Sequence, residues 1–457
     1  MDGAELTVTG PAPAAPPRFV TGSLLTHILI MSGTGAVGLI AIFIGDLANI
    51  LFLSWLSDEA IVAAVGYASS ILFFTTSIGI GLSIAATSLV SPAIGSGDRP
   101  KARRLASSSL VVTLVVSAVL TVVVWLAVPP LLKLLGAQGR TYELARDYLW
   151  ILVPFLPPLA LAMTATGILR SVGDPRRAMH ITLTGAIVNI ALDPLLIFVF
   201  GLGIHGAAIA SGIARLAMLA YAIHAVVRVH DMASKPTMPA MKEDWPPLLA
   251  VAVPAVLTNV ATPVGNAYVT AAIATHGDSA VAAWAIIGRI IPVAFGAIYA
   301  LSGSIGPIIG QNFGARDYER MRRAFTLSLA VNAAFTLVAW IALWLGTGSI
   351  IAFFKVSGSA AELIQFFNAM LSPLFVFLGA LFVANAAFNT LGHAQLSTWL
   401  NWGRATVGTI PFVDYGSRMA GAEGVLAGNM IGGIAFGGLA VWLCYRLMDR
   451  LRFKPAQ

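Results

Sequence analysis

One stretch of this chain is written twice. Residues 91–104, SPAIGSGDRPKARR, align without a gap against residues 310–323, GQNFGARDYERMRR, so Gly95 meets Gly314, Asp98 meets Asp317, and Arg103 and Arg104 meet Arg322 and Arg323. The same offset of 219 residues carries Gly173 onto Gly392 and, with a one-residue gap, Gly206 onto Gly424. A self-match spread over half a chain at a single offset means two copies of one unit, which restricts the fold to paired halves.

The solvent for those halves follows from composition. Hydrophobic residues make up 58% of the chain, charged residues only 10%, and the mean hydropathy is +0.86. Apolar runs recur from end to end, and about 20 residues are enough to cross the hydrocarbon core as a helix. Lipid offers no partner to a backbone amide, so spans of this length must be helices, and the absence of strand-length alternation excludes an outer-membrane barrel. The expectation is an all-α integral membrane protein of about twelve transmembrane helices in two six-helix lobes. The lobes are placed at 23–229 and 246–448, joined by a polar linker at 230–245. Residues 1–22 are read as a disordered tail with no signal-peptide pattern, and 449–457 as a second tail. Duplication in such a setting points to a transporter whose lobes surround a shared cavity.

The net charge of +7 does not signal nucleic acid, because its distribution is one-sided. Of the 27 Lys and Arg residues, nineteen fall in one set of connections and five in the other, the rest lying within spans. By the positive-inside rule both termini are cytoplasmic and the number of spans is even. Each half then has an even number too, so the copies share one orientation and are related by an axis along the membrane normal. Helix-weakening residues recur in the first helix of each half, with Gly33, Gly35 and Gly38 in one and Pro254 and Pro263 in the other. They serve either bending or close packing. The lone Cys444 supports neither a disulfide nor a cysteine metal site.

Carboxylates within the hydrocarbon are expensive and are retained for a reason. Two lie deep, Asp46 in AIFIGDLANILFL and Asp193 in AIVNIALDPLLIFVF. Asn189 precedes Asp193 by one turn on the same face, and Pro194 leaves a helix carbonyl unbonded beside it. Such a group can exchange a proton for a cation or substrate, and Na+ is an alternative occupant at Asp46, Asn189 and Asp193. The second half has no deep carboxylate. Its buried polar residues include Asn259, Asn266 and Asn385, which are candidates for a substrate cavity although amides of this kind more often join helices. Walker A and HExxH sequences are absent, as is a paired-aspartate run for magnesium diphosphate, so the chain is not expected to be an enzyme. No cofactor is expected; the energy source is an ion gradient, of H+ or Na+.

Four segments together resemble the multidrug and toxic compound extrusion (MATE) transporters: FLSWLSDEAIVAAVG, GQNFGARDYERMRRAF, ILRSVGDP and NIALDPLLIFVFGLGIHGAAIAS. The resemblance covers almost the whole chain and is nearer to DinF-like than to NorM-like members. It implies a V-shaped pair of six-helix bundles in the inner membrane that exports organic, often cationic and amphipathic, compounds in exchange for protons or sodium. It also implies a cation site at Asn189, Asp193 and Ser211. The family's first-helix aspartate falls on Asn49, with Asp46 one turn earlier on the same face. Asp46 either takes over that role or marks a different ion choice. The family's seventh-helix Glu falls near Thr262. Expected partners are small molecules and the bilayer, with a monomeric chain and no nucleic acid. A lipid-linked precursor flippase is the alternative within transport and would require a strongly basic cavity, whereas only Arg215, Arg289 and Arg404 lie within spans. A membrane-embedded transferase is the less favoured third reading.

Overall fold

The computed structural model describes residues 17–56 and 58–453, and within them the chain is helical throughout its spans. In the first half these are α1 (Leu24–Ser54), α2 (Glu59–Gly95), α3 (Arg99–Leu134), α4 (Gly139–Val172), α5 (Pro175–Val199) and α6 (Gly203–Val229). The second half contributes α7 (Met238–Ala274), α8 (Asp278–Ala294 and Gly296–Gly314, bent by 47° at the break), α9 (Tyr318–Phe354) and α10 (Ser359–Thr390). The last helical stretch, Ala394–Phe453, has 60 residues, more than twice the length a span needs. It reverses at Ala420–Gly421, where the backbone leaves helical geometry and Gly421 takes φ 57°. Gly416 then lies against Gly424, Phe412 against Gly428 and Gly408 against Gly432, the register of an antiparallel helical hairpin. The stretch is therefore two spans, α11 (394–419) and α12 (422–453), and the total is twelve.

The duplicated pattern is a stop-and-start signal. α2 ends at Gly95 and α8 at Gly314. Asp98 and Asp317 then cap the next helices, accepting from the amides of Lys101 at 3.0 Å and Arg320 at 2.9 Å. Its arginines tie the third helix of each lobe to the chain leaving the sixth. Arg103 pairs with Asp231 at 2.9 Å and Arg322 pairs with Asp449 at 3.2 Å, and these partners are themselves related by the repeat after its one-residue gap. Even an internal irregularity repeats. Pro154 opens a 3-10 turn at Val153–Phe155 within α4, and Pro373 opens its counterpart at Ser372–Leu374 within α10.

The two lobes meet where α2 crosses α8. A Cβ on Gly95 would run into the Gln311 carbonyl, and a Cβ on Gly314 would run into the Pro92 carbonyl. Those two collisions are the same contact seen from either side of the pseudo-two-fold axis. On the axis itself Gly306 and Gly310 pack against Thr87 and Ser91, their own counterparts. Only glycine permits backbones to approach this closely. α1 and α7 cross over in the same symmetric way: Gly35 on α1 packs on Ala300 of α8, and Gly81 on α2 packs on Ala252 and Val256 of α7.

The first and last described residues and the basic connections lie at this end, called here the basic face. Among the described residues, every side-chain hydrogen bond that joins the first lobe or the segment before it to the second lobe falls at this face. Gln311 donates to the Ser171 carbonyl at 2.7 Å and accepts from the Phe19 amide at 2.8 Å. Arg18 donates to the Gly173 carbonyl at 2.6 Å, while Arg320 donates to the carbonyls of Phe19, Thr21 and Gly22. Residues 17–22, expected to be part of a disordered tail, thus form a strap over the junction with Phe19 buried in the second lobe's core. Residues 1–16 of that tail lie outside the described residues. The linker also differs from expectation, since α7 begins at Met238, inside 230–245: Pro239 stands in its first turn, where proline costs no hydrogen bond. Buried Asp244 fixes this start to the first lobe through Ser108 at 2.7 Å and Arg104 at 3.1 Å.

If glycine is what allows the lobes to close, Gly314→Val should push α2 and α8 apart. Spin labels at Ser96 and Ala315 should report a longer, broader distance distribution in the variant than in the parent. An unchanged distribution would show that the crossing does not hold the basic face shut.

Candidate functional site

Four polar residues of the first lobe, Asn49, Asn189, Asp193 and Ser211, come together at one place. α5 carries Asn189 and Asp193 at a spacing of four and α1 carries Asp46 and Asn49 at a spacing of three, so each pair shares a helix face. Asn49 Nδ2 donates to Asp193 Oδ2 at 2.9 Å, joining α1 to α5. Ser211 on α6 donates to Asn189 Oδ1 at 3.2 Å. Asp193 is fully buried, yet its Oδ1 has no hydrogen-bond partner, and neither does Asn189 Nδ2. Asn189 stands beside the carboxylate without closing that bond, and a carboxylate so poorly supplied with donors at this depth is costly to keep ionised.

Local structure explains the opening. Pro194 has no amide to give the carbonyl four residues back, and the helix continues as a π turn over Leu195–Val199. Such single-turn widenings recur at functional positions in helices. α6 approaches the turn closely, because Gly206 faces the Leu196 carbonyl with no side chain between.

Two further residues complete the cluster. Tyr148 on α4 is buried against Ser211, within electrostatic reach of Asp193, Asp46 and Arg215. Arg215, one turn beyond Ser211 on α6, donates to the Leu152 carbonyl at 3.4 Å and has Asp46 as its charged neighbour. Asp46 itself is exposed and makes no direct bond to Asp193. It is Asn49 that meets the buried carboxylate, with Asp46 facing Arg215. Tyr148 is not legible as a site residue in the sequence, since one tyrosine in a helix carries no pattern. The spacing of four between Ser211 and Arg215 is a usable sign.

The second-lobe amides are not part of this cluster. Asn385 is buried between α10 and α11, accepting from Asn401 Nδ2 at 3.1 Å. Asn259 donates back to the Ala255 carbonyl of its own helix at 2.8 Å. Asn266 is exposed on α7. No hydrogen bond joins these three among the described residues.

A family model described as MatE matches residues 36–195 and again 254–413, once in each half. The chain belongs to the MATE family. The FAD transporter of Shewanella oneidensis is 31% identical over 94% of this chain and 96% of its own length. Multidrug export protein MepA of Staphylococcus haemolyticus is 24% identical over 96% and 97%. Among solved structures, a point mutant of the Vibrio cholerae MATE transporter VcmN superposes with a TM-score of 0.88 at 25% identity, covering 94% of this chain and 99% of that one. A MOP superfamily transporter from Pyrococcus furiosus gives 0.90 at 21% identity over 97% and 100%, a likeness of fold. The α1–α5–α6 cluster is thus a buried carboxylate site in the first lobe of a MATE transporter.

Removing Asn49 leaves the Asp193 carboxylate buried without a donor. Asn49→Ala should therefore destabilise the protein by about 1–3 kcal/mol, the range for orphaning a buried polar group. In an Asp193→Leu background the same substitution should cost much less. Thermal unfolding of the four proteins in detergent measures the coupling, and strictly additive losses would show that the hydrogen bond contributes nothing.

Proposed function

We propose that this MATE transporter is a secondary antiporter that exports organic compounds by alternating access, in exchange for protons. The observation that carries the reading is a fully buried carboxylate, Asp193, whose closed side-chain hydrogen bond comes from a neutral amide, Asn49, with no cation paired to it. Protonation there neutralises the charge and relieves the cost of burial; export of a substrate is then coupled to the proton's inward return. We favour a proton over sodium because Asn49 presents an N–H and not an oxygen to the carboxylate, whereas a hard cation takes several oxygen ligands.

Orientation supports the same cycle. With the basic face in the cytoplasm, as the positive-inside rule requires, the contact of α2 with α8 seals the cytoplasmic side of a chain resident in the inner membrane. The alternate state then requires that contact, the Gln311–Ser171 bond and the strap at Phe19 to open together. A ligand shifts such an equilibrium only by binding the two states unequally, and Asn49–Asp193 gives protonation that leverage because it spans α1 and α5. The named relatives support organic molecules as the cargo class, drugs for one and a flavin nucleotide for the other.

Proteoliposomes with separately imposed pH and sodium gradients test this. The parent should accumulate ethidium under a pH gradient and not under a sodium gradient alone, and Asp193→Asn should abolish gradient-driven accumulation. Full accumulation by Asp193→Asn would overturn the coupling role. Flux driven only by sodium would replace the proton with sodium at the same residues.

A further inference from the structure

The second lobe holds a cation that the coupling site does not use. Arg404 lies near the middle of α11 and is only 8% exposed. One of its nitrogens, Nη2, donates to Thr262 Oγ1 of α7 at 3.0 Å. Its Nε is buried without a partner. Among the described residues no carboxylate lies within ion-pair distance of it, although ten such pairs occur elsewhere. A guanidinium held in the membrane interior without a counter-ion is expensive, and a structural role would be served by an amide or a hydroxyl at less cost.

The backbone beside it is also irregular. α11 breaks after Ala405, one residue beyond Arg404, with turns at 406–409 and Thr406 at φ −108° and ψ −84°. The Arg404 carbonyl freed by that break accepts from Thr409 Oγ1 at 2.8 Å. Interrupted helices at mid-membrane are where transporters build ligand sites, since unwound backbone is tolerated there only when it lines a cavity or is buried in protein. Tyr299 of α8 is the electrostatic neighbour of the guanidinium, and its ring sits 5.5 Å from that of Phe382, tilted by 36°. Tyr299 is still 36% exposed, so part of the aromatic pair remains accessible.

Building on the transport reading above, we propose that Arg404, with Thr262 beside it and Tyr299 and Phe382 as an aromatic wall, forms a substrate subsite for the phosphate of a planar aromatic anion of the flavin-nucleotide type. Arginine suits that ligand because its planar fork matches phosphate geometry, and Thr262 occupies one of its five N–H donors. The aromatic pair supplies a surface on which a flat ring stacks. The coupling carboxylate and the anion subsite then sit in different lobes, so that each partner of the exchange is held by its own half.

The test is direct binding to the purified full-length protein in detergent, read by flavin fluorescence, with FMN and riboflavin as probes that differ by one phosphate. The parent should bind FMN more tightly than riboflavin, and Arg404→Met should weaken FMN at least about tenfold, roughly the loss of one charge-assisted bond, while leaving riboflavin unchanged. Arg404→Lys should retain part of the FMN preference. Equal losses for both probes in Arg404→Met, with an unaltered melting temperature, would assign Arg404 to packing and overturn the proposal. So would a parent protein that does not distinguish FMN from riboflavin. A competing arm with geranyl diphosphate separates the aromatic ligand from a lipid phosphate: binding of the diphosphate without binding of FMN also overturns it. Because no gradient is applied, failure here leaves the antiport reading standing, and failure of the antiport reading leaves this result standing.

Discussion

Two backbones can cross in lipid at this distance only if neither carries a side chain, and the crossing of α2 with α8 at Gly95 and Gly314 is the constraint on which the rest of this molecule depends. It sets the pseudo-two-fold axis, because Thr87 and Ser91 meet their own counterparts Gly306 and Gly310 there. It brings Gln311 of α8 within reach of Ser171 of α4, so that a buried hydrogen bond joins the lobes beside the axis. The strap at Phe19 docks on the same Gln311. One close approach therefore organises the seal, the symmetry and the path of the chain before α1.

Within that symmetric frame the chemistry is divided unequally. The counterpart of Asp193 in the second lobe is Phe412, and the counterpart of Arg404 in the first is Gly185. Neither group has a copy, although the arginines that pair with Asp231 and Asp449, the capping aspartates and the proline turns of α4 and α10 all do. Duplication preserved what holds a six-helix lobe together and released what a lobe binds. The division also keeps Asp193 and Arg404 in different lobes, although the first lobe retains a cation of its own in Arg215, beside Asp46.

How much of this can be read from the sequence depends on the range of the interaction. Hydropathy and the repeat offset lead to the span count, including the fold-back near residue 420 that a single unbroken helical stretch conceals. Helical spacing groups Asn189 with Asp193 and Asp46 with Asn49, because faces of one helix are local properties. It does not say that Asn49 rather than Asp46 meets the carboxylate, since that depends on how α1 is rotated against α5. The strap has no signature either: Arg18 and Phe19 follow a proline-rich run that composition alone reads as disordered, and it is the distant donors of Arg320 and Asn312 that give the Phe19 carbonyl a partner. Charge marks the arginines of the repeat as topology signals, yet Arg103 and Arg322 also make specific pairs. Pairing across 128 residues leaves no trace in a local pattern.

In the alternating-access cycle proposed above, the crossing of α2 and α8 opens once in each turn of transport. A cysteine pair at Thr87 and Gly306, placed across the axis, in a chain whose only native cysteine, Cys444, is buried, tests it most directly. Oxidation to the disulfide should stop transport in proteoliposomes, and reduction should restore it to the rate of the uncrosslinked protein. Undiminished transport by the fully crosslinked protein would contradict the account.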